Sequence, residues 1–262
     1  MNYRHAFHAG NFADLVKHAA LLAMLRELTK GGPVTVVDTH GGAGLYDLSG
    51  EMALKSGEAS AGIGRLMADD RAPEVFGPLK QAVSRLPIGQ YPGSPVLAAQ
   101  ALRREDRLIA CEIHPQDKEL LQRALAKYPN AEVLGEDGYA ALRRQAADLV
   151  LIDPPFERPD DYEQAAAALE AVLAKNGAAS VCVWLPLKDL ETFDAFLRRL
   201  EAPGALVVEL RLRPLLDPMK MNGCALVIAN ATAGLEAELG PACEWIVRTL
   251  GERGGEARLW HL

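Results

Sequence analysis

Over the second half of the chain, short apolar runs alternate with amphipathic stretches. Stretches with an apolar residue at every third or fourth position predict helices, and short continuous apolar runs predict strands buried on both faces. Helices are predicted over residues 115–127, 139–146, 161–175, 189–200 and 235–250, and strands over residues 131–134, 148–153, 179–185, 207–213 and 224–230. This alternation predicts an α/β fold with a doubly wound, Rossmann-like sheet.

The last two of these strands have no helix between them. Strands that are joined by a loop alone are typically antiparallel neighbours. We therefore place residues 207–213 and 224–230 side by side at one edge of the sheet. After the final helix the chain closes with a short apolar end, residues 257–262.

The first half of the chain begins with a helix and a strand, and then becomes helical over a long segment. Asn11 is the predicted N-cap of the first helix, with Asp14 at the third position as in a capping box, and His18 lies on the same face. Residues 34–38 form the predicted strand. Residues 46–93 show several helical patterns, more than one crossover helix requires. They predict a helical insertion that covers the mouth of the sheet.

Composition is that of an ordinary globular protein. The chain has 262 residues, 49% of them apolar and 24% charged, which is enough for a single large domain over residues 1–262. The net charge of −7 argues against general electrostatic adhesion to nucleic acid, although it permits a local basic site. Four of the six histidines fall within the first forty residues.

The cysteines and the apolar runs indicate the cellular compartment of the protein. The four cysteines show no C-x-x-C spacing, and we expect reduced core thiols in a cytoplasmic protein. The longest apolar run near the start, residues 19–25, is too short to span a bilayer. The opening residues do not have the pattern of a secretory signal either. We expect neither a membrane partner nor a metal ion.

One strand end carries the strongest chemical signal in the chain. The apolar run of residues 149–152 stops at Asp153-Pro154-Pro155-Phe156, because proline cannot continue a central ladder. Asp153 therefore lies at the carboxyl end of a strand, where ligands bind in open α/β sheets. A carboxylate and a proline carbonyl can accept both N–H groups of an exocyclic amine and localise its lone pair for methylation. Phe156 would stack on the extruded base. Taken alone, so short a motif is more often a strand that ends in a solvated turn.

A second strand end is rich in glycine. Glycines let the backbone turn tightly and approach a ligand closely, and residues 40–44 have this character. A dinucleotide site would continue as G-x-G-x-x-G, with an acidic residue about 20 positions later. The third glycine is missing here, and the next acidic residue that ends a strand is Glu112. A nicotinamide site is thus disfavoured.

Taken in order, four strand ends carry small or acidic residues: 40–44, Glu112, Asp137-Gly138 and 153–156. This arrangement resembles the class I S-adenosylmethionine-dependent methyltransferases, which have seven strands with a terminal antiparallel pair. More narrowly, the chain resembles the bacterial 23S ribosomal RNA adenine-N6 methyltransferase family. That resemblance is carried by residues 3–11, Lys17-His18, Asp38-Thr39-His40, residues 91–95 and Glu112-x-His114-Pro115.

The resemblance implies S-adenosylmethionine as the cofactor and 23S ribosomal RNA as the partner. The residues that it implies for the cofactor are His18, His40, Gly42, Ser94, Glu112, Asp137 and Gly138. The expected catalytic residues are Asp153, Pro154 and Phe156, and the expected substrate contacts are Tyr3, Arg4 and Lys17. The family usually has tyrosine at the position of Phe156, so stacking is retained but a hydroxyl contact is lost. We expect the protein to act as a monomer.

Three other functions fit parts of the same sequence. The Asp-Pro-Pro-Phe motif does not tell RNA from DNA, so a DNA adenine methylase is the nearest alternative. A binding subunit that kept the fold but lost turnover is the second, although the intact motif counts against it. A dehydrogenase is the third. Methylation assays on matched RNA and DNA, and titrations with S-adenosylmethionine and a nicotinamide cofactor, would separate them.

Overall fold

A computed structural model describes residues 5–216 and 221–262. The strands are β1 Thr35–Asp38, β2 Leu45–Asp47, β3 Gln90–Pro92, β4 Arg107–Cys111, β5 Ala131–Leu134, β6 Leu149–Ile152, β7 Ser180–Leu187, β8 Leu206–Arg211, β9 Gly223–Ala229 and β10 Glu256–His261. The helices are α1 Phe12–Leu28, α2 Glu51–Ser56, α3 Arg65–Ala68, α4 Gly77–Ser84, α5 Ser94–Ala101, α6 Pro115–Leu125, α7 Gly138–Arg144, α8 Asp161–Lys175, α9 Leu190–Arg199 and α10 Leu235–Leu250. Short 3-10 turns cover His5–Phe7 and Glu74–Phe76, and a π-helical turn covers Ser60–Gly64.

Eight strands form the central sheet in the order β10-β8-β9-β7-β6-β1-β4-β5. The run from β7 to β5 is parallel, whereas β9 is antiparallel to both β7 and β8. Strand β6 is buried throughout, as expected for a parallel strand with packed cores on both faces. Asp38 at the end of β1 is paired with Leu151 of β6. The carboxyl ends of these two strands therefore lie next to each other, and this placement positions the site.

The Rossmann-like α/β fold and the antiparallel pairing of β8 with β9 are confirmed. The prediction that this pair ends the sheet is wrong, because β10 pairs with β8 and makes the sheet eight-stranded instead of seven-stranded. Leu259 packs against one core and Trp260 against the other. The apolar residues of this last strand thus pack on both faces of the sheet. Its charged residues interrupt the apolar pattern, so the strand is hard to recognise in the sequence.

The segment predicted as a helical insertion contains helices α2 to α4. Strands β2 and β3 pair at its two ends in a separate antiparallel ribbon. Its π-helical turn packs against the start of α1, where the backbone N–H of Ile63 donates to the carbonyl of Gly10 at 2.8 Å. Within the described residues, none of the helices combines the length and apolar character that a bilayer span requires.

Gly62→Ala should loosen the insertion from the N-terminal segment. A Cβ atom at residue 62 would lie 2.2 Å from the carbonyl oxygen of Gly10, which is backbone and cannot rotate away. We expect a loss of about 1–3 kcal/mol in the free energy of unfolding, as for other overpacked positions. Denaturant unfolding measures this loss.

Gly64→Ala is the matched control from the same turn. Its Cβ would lie 3.5 Å from the nearest atom, the carbonyl oxygen of Ala59, and its φ of −59° suits alanine. This variant should be as stable as wild type, or more stable by up to about 1 kcal/mol. Equal stabilities for the two alanine variants would contradict the packing argument.

Candidate active site

The site is a cavity of about 770 Å³ at the carboxyl edge of the parallel strands. The predicted site residues that the structure describes all line it: Lys17, His18, His40, Gly42, Ser94, Glu112, Asp137, Gly138, Asp153, Pro154 and Phe156. Tyr3 and Arg4, predicted to contact the substrate, lie outside the described residues. The fold therefore brings together positions that are far apart in the sequence.

Asp153 contacts a buried lysine. The Nζ atom of Lys17 donates to Asp153 Oδ2 at 2.5 Å and lies 2.9 Å from Asp14 Oδ1. Lys17 is only 4% exposed and Asp14 only 1% exposed. An ammonium can be buried this deeply only because carboxylates surround it. Lys17, predicted as a substrate contact, is thus in direct contact with the predicted catalytic carboxylate.

The charges of this cluster are strongly coupled. Burial favours a neutral Lys17, but Asp14 and Asp153 outweigh it and hold the pKa of Lys17 well above its usual value. Burial likewise opposes ionisation of Asp14, yet Lys17 and the nearby histidines hold the pKa of Asp14 well below its usual value. His18 differs, because burial lowers its pKa to about 3 and keeps the ring neutral. Its Nδ1 lies 2.8 Å from the Tyr91 hydroxyl, and Nε2 is buried with no hydrogen-bond partner among the described residues.

Glu112 follows β4 and is held by the backbone. Its Oε2 accepts from the N–H of Gly42 at 2.9 Å, and its Oε1 accepts from the N–H of His114 at 2.7 Å. Gly42 has a φ of +58°, and a Cβ atom there would collide with the Tyr46 hydroxyl. Burial raises the pKa of Glu112. The glycine-rich turn thus fixes the direction of this carboxylate.

Asp137 and Gly138 open helix α7 at the next strand end. Asp137 Oδ1 accepts from the N–H of Tyr139 at 2.8 Å and caps the helix, while Oδ2 makes no hydrogen bond to another described residue. A Cβ atom on Gly138 would lie 2.1 Å from the carbonyl oxygen of Thr39. Glycine is therefore required where α7 meets the end of β1.

Asp38, a residue that the sequence reasoning did not assign to the site, supports two of the predicted cofactor contacts. Its Oδ2 accepts from the Ser94 hydroxyl at 2.6 Å, and its Oδ1 accepts from the backbone N–H of His40 at 3.2 Å. Burial raises the pKa of Asp38 to about 6 and lowers that of the His40 ring to about 4. Its position at the end of a strand, two residues before His40, could have indicated that it belongs to the site.

The turn after Asp153 is conformationally unusual. Phe156 has a φ of +50°, a backbone region that residues other than glycine seldom adopt and that clusters at functional sites. Its ring lies 4.7 Å from that of Tyr162 and 5.9 Å from that of Trp184, measured between centroids. Trp184 also lines the cavity and was missed from the sequence, where it reads as one more apolar strand residue. The aromatic surface beside Asp153 is thus larger than one ring.

Fold and site together are those of a Rossmann-like methyltransferase, with an antiparallel strand inserted next to the last parallel one and acidic residues at successive strand ends. The family model described as "Ribosomal RNA large subunit methyltransferase D, RlmJ" matches residues 31–262. The chain belongs to this family, and the resemblance seen in the sequence is confirmed.

Individual relatives cover nearly the whole chain. The protein named ribosomal RNA large subunit methyltransferase J from Haemophilus influenzae is 32% identical, over 97% of this chain and 95% of its own length. The protein of the same name from Escherichia coli is 31% identical, over 94% of this chain and 92% of its own. A crystal structure of a Legionella pneumophila protein is 28% identical and superposes with a TM-score of 0.90, covering 97% of this chain and 98% of that one.

Lys17→Met should destabilise the protein by about 3–5 kcal/mol, because it leaves two carboxylates without their cation at a buried position. The wild-type pair contributes fully between the ordinary pKa values of 3.8 for Asp14 and 10.5 for Lys17. Without the lysine, burial raises the pKa of Asp14, and protonation relieves the penalty. The deficit measured by denaturant unfolding should therefore shrink as the pH falls from neutral towards 3.8, the ordinary pKa of Asp14.

Lys30→Met, beyond the end of the same helix, is the control. Lys30 pairs with Glu27 and is 64% exposed, so its loss should leave the free energy of unfolding nearly unchanged. A Lys17→Met deficit that is as small as this, or that does not vary with pH, would contradict the coupling described above.

Proposed function

We propose that the protein transfers the methyl group of S-adenosylmethionine to the N6 amino group of an adenine in 23S ribosomal RNA, in the cytoplasm. The observation that carries the proposal is Asp153, followed by Pro154-Pro155-Phe156, in one cavity with Glu112 and Asp137. The relatives from Haemophilus influenzae and Escherichia coli, which are named ribosomal RNA large subunit methyltransferases, support the same substrate class.

The residues of the cavity fit this cofactor. Glu112 would accept hydrogen bonds from ribose hydroxyls, and the free oxygen of Asp137 would accept one from the adenine amino group. His18 and His40 are neutral at pH 7, since their pKa values are lowered to about 3 and about 4 by burial. They therefore add no positive charge beside a cationic ligand. Ser94, Gly42 and Gly138 would complete the contacts.

When bound, the cofactor supplies a methyl group on a positively charged sulfur. The amino group of adenine is a weak nucleophile, because its lone pair is delocalised into the ring. Oδ1 of Asp153, the oxygen that Lys17 does not occupy, and the carbonyl of Pro154 would each accept one N–H of that amine. This localises the lone pair and aims it at the methyl group, while Phe156 would stack on the base. The N6 proton becomes acidic only as the methyl group arrives, so Asp153 needs to orient the amine and not to deprotonate it beforehand.

Asp153→Asn should lower the rate of methyl transfer by about 10²-fold or more, because Lys17 would occupy the one oxygen of the amide and the NH2 group, a donor, would face the amine. Lys17 keeps Asp14 as a partner, so the fold and the affinity for S-adenosylmethionine should largely persist. Single-turnover transfer to ribosomal RNA measures the effect.

The control is Asp194→Asn, at a carboxylate that is 52% exposed and pairs with Arg198 outside the cavity. It should retain the wild-type rate. Transfer by Asp153→Asn at a rate close to that of this control would refute the proposed role of Asp153.

Glu112→Ala should weaken S-adenosylmethionine binding about ten- to a hundredfold, or about 1.5–3 kcal/mol, because the ribose diol would lose a charge-assisted acceptor. Calorimetric titration measures this. Glu119→Ala, at a residue on α6 whose side chain is 66% exposed, should bind as wild type does. Unchanged affinity in the Glu112 variant would mean that this carboxylate only holds the backbone around it and does not bind the cofactor.

A further inference from the structure

The cavity continues past Asp153 along the ends of β7 and β8. This part is lined mainly by apolar side chains from Trp184, Pro186, Leu212, Met221 and Leu250. Glu112 and Asp137, which are proposed to bind the cofactor, follow β4 and β5. These two strands lie on the opposite side of β6 and Asp153 in the sheet order. A second ligand therefore has room on the β7 side, and an apolar, aromatic lining suits the faces of a nucleotide base.

Three cationic side chains from separate elements line this same part of the cavity: Arg65 of the insertion, Lys188 after β7 and Arg213 after β8. We call these three residues the basic rim. Arg65 Nη1 donates to the carbonyl of Thr249 at 2.6 Å, and Arg213 pairs with Glu252 at 3.0 Å. Residues at the end of α10 and in the turn after it thus contact Arg65 and Arg213, and this places the two cations near Leu250.

The basic rim is only partly neutralised. Lys188 is exposed and has no ion pair with any described residue, and Arg65 is fixed by a carbonyl and not by a carboxylate. Nε of Arg213 is buried and lacks a hydrogen-bond partner among the described residues. Glu252, the carboxylate beside Arg213, is 61% exposed and does not line the cavity. Donors are therefore available here for an anionic ligand.

The two ends of the cavity differ in charge. Glu112, Asp117, Glu136 and Asp137 line the β4–β5 end, which suits a cofactor with a net positive charge. Among the described lining residues, those from β7, β8 and the turns after them include no acidic side chain, and Glu58 of the insertion hydrogen-bonds to His8 and Asn11. A protein with a net charge of −7 that keeps cations at one end of its cavity has a local site for a polyanion.

We infer that Arg65, Lys188 and Arg213 bind the RNA phosphates on either side of the adenosine that enters the cavity. This inference rests on the proposed function and extends it, because it makes the helical insertion, through Arg65, part of the substrate site. Each cation that contacts a phosphate contributes to affinity and to its salt dependence, independently of the base sequence.

The test uses the full-length protein and deproteinised 23S ribosomal RNA, with Arg65→Gln, Lys188→Gln and Arg213→Gln singly and combined. Each single variant should weaken RNA binding about three- to tenfold, and the slope of log affinity against log salt should fall by about 0.7–0.9 per residue. The affinity for S-adenosylmethionine should stay at the wild-type value. Arg123→Gln and Arg198→Gln, at side chains that are 76% and 80% exposed outside the cavity, are matched controls and should behave as wild type.

The outcomes separate the two claims. If wild type methylates the RNA but the triple variant keeps the wild-type affinity and salt slope, the basic rim inference is overturned and the proposed function stands. A loss of RNA binding that is matched by an equal loss of S-adenosylmethionine binding would also overturn it, since the substitutions would then act through the fold. If wild type transfers no methyl group to the RNA, the proposed function fails and the inference with it.

Discussion

A single buried cation joins the parts of this molecule that meet at the active site. Lys17 lies between Asp14 on its own helix and Asp153 at the end of β6, and these two carboxylates together offset the cost of its desolvation. Helix α1 is therefore joined to the turn after β6 by a specific polar contact. The start of the same helix binds the insertion, because Asn11 donates to Glu58 at 2.9 Å and Gly10 packs against Gly62. The insertion, the N-terminal helix and Asp153 thus form one connected unit.

The distribution of charge in the cavity follows the chemistry of its two expected ligands. Acidic side chains lie at the ends of β4 and β5, where the cationic cofactor is proposed to bind, and the basic rim lies towards the ends of β7 and β8. Asp153 follows β6, which lies between these two groups in the sheet order. The net charge of −7 is therefore compatible with binding RNA, since three cationic side chains are grouped at the end of the cavity proposed for the substrate.

Local sequence patterns were sufficient to predict the features that depend on residues close together in the chain. The Rossmann-like sheet, the antiparallel β8–β9 pair and the Asn11 cap were predicted, since periodicity, proline breaks and capping chemistry act over a few positions. Strand β10 was missed, because its charged residues interrupt the apolar alternation. Contacts that depend on distant residues were also missed: Lys17 with Asp153 spans 136 positions, and Ser94 with Asp38 spans 56. The roles assigned to the cofactor residues stay predictions, although the fold brings those residues into one cavity.

The central claim is that Asp153 presents the N6 amino group of a ribosomal RNA adenine to a methyl donor. The most direct test is incubation of the protein with S-adenosylmethionine that carries an isotope-labelled methyl group, and with a mixture of 23S ribosomal RNA, 16S ribosomal RNA and duplex DNA. The nucleic acids are then separated and digested, and their nucleosides are identified by mass spectrometry. We expect label in N6-methyladenosine from 23S ribosomal RNA alone. Label in another nucleoside, in the DNA, or in none of the three would contradict the central claim.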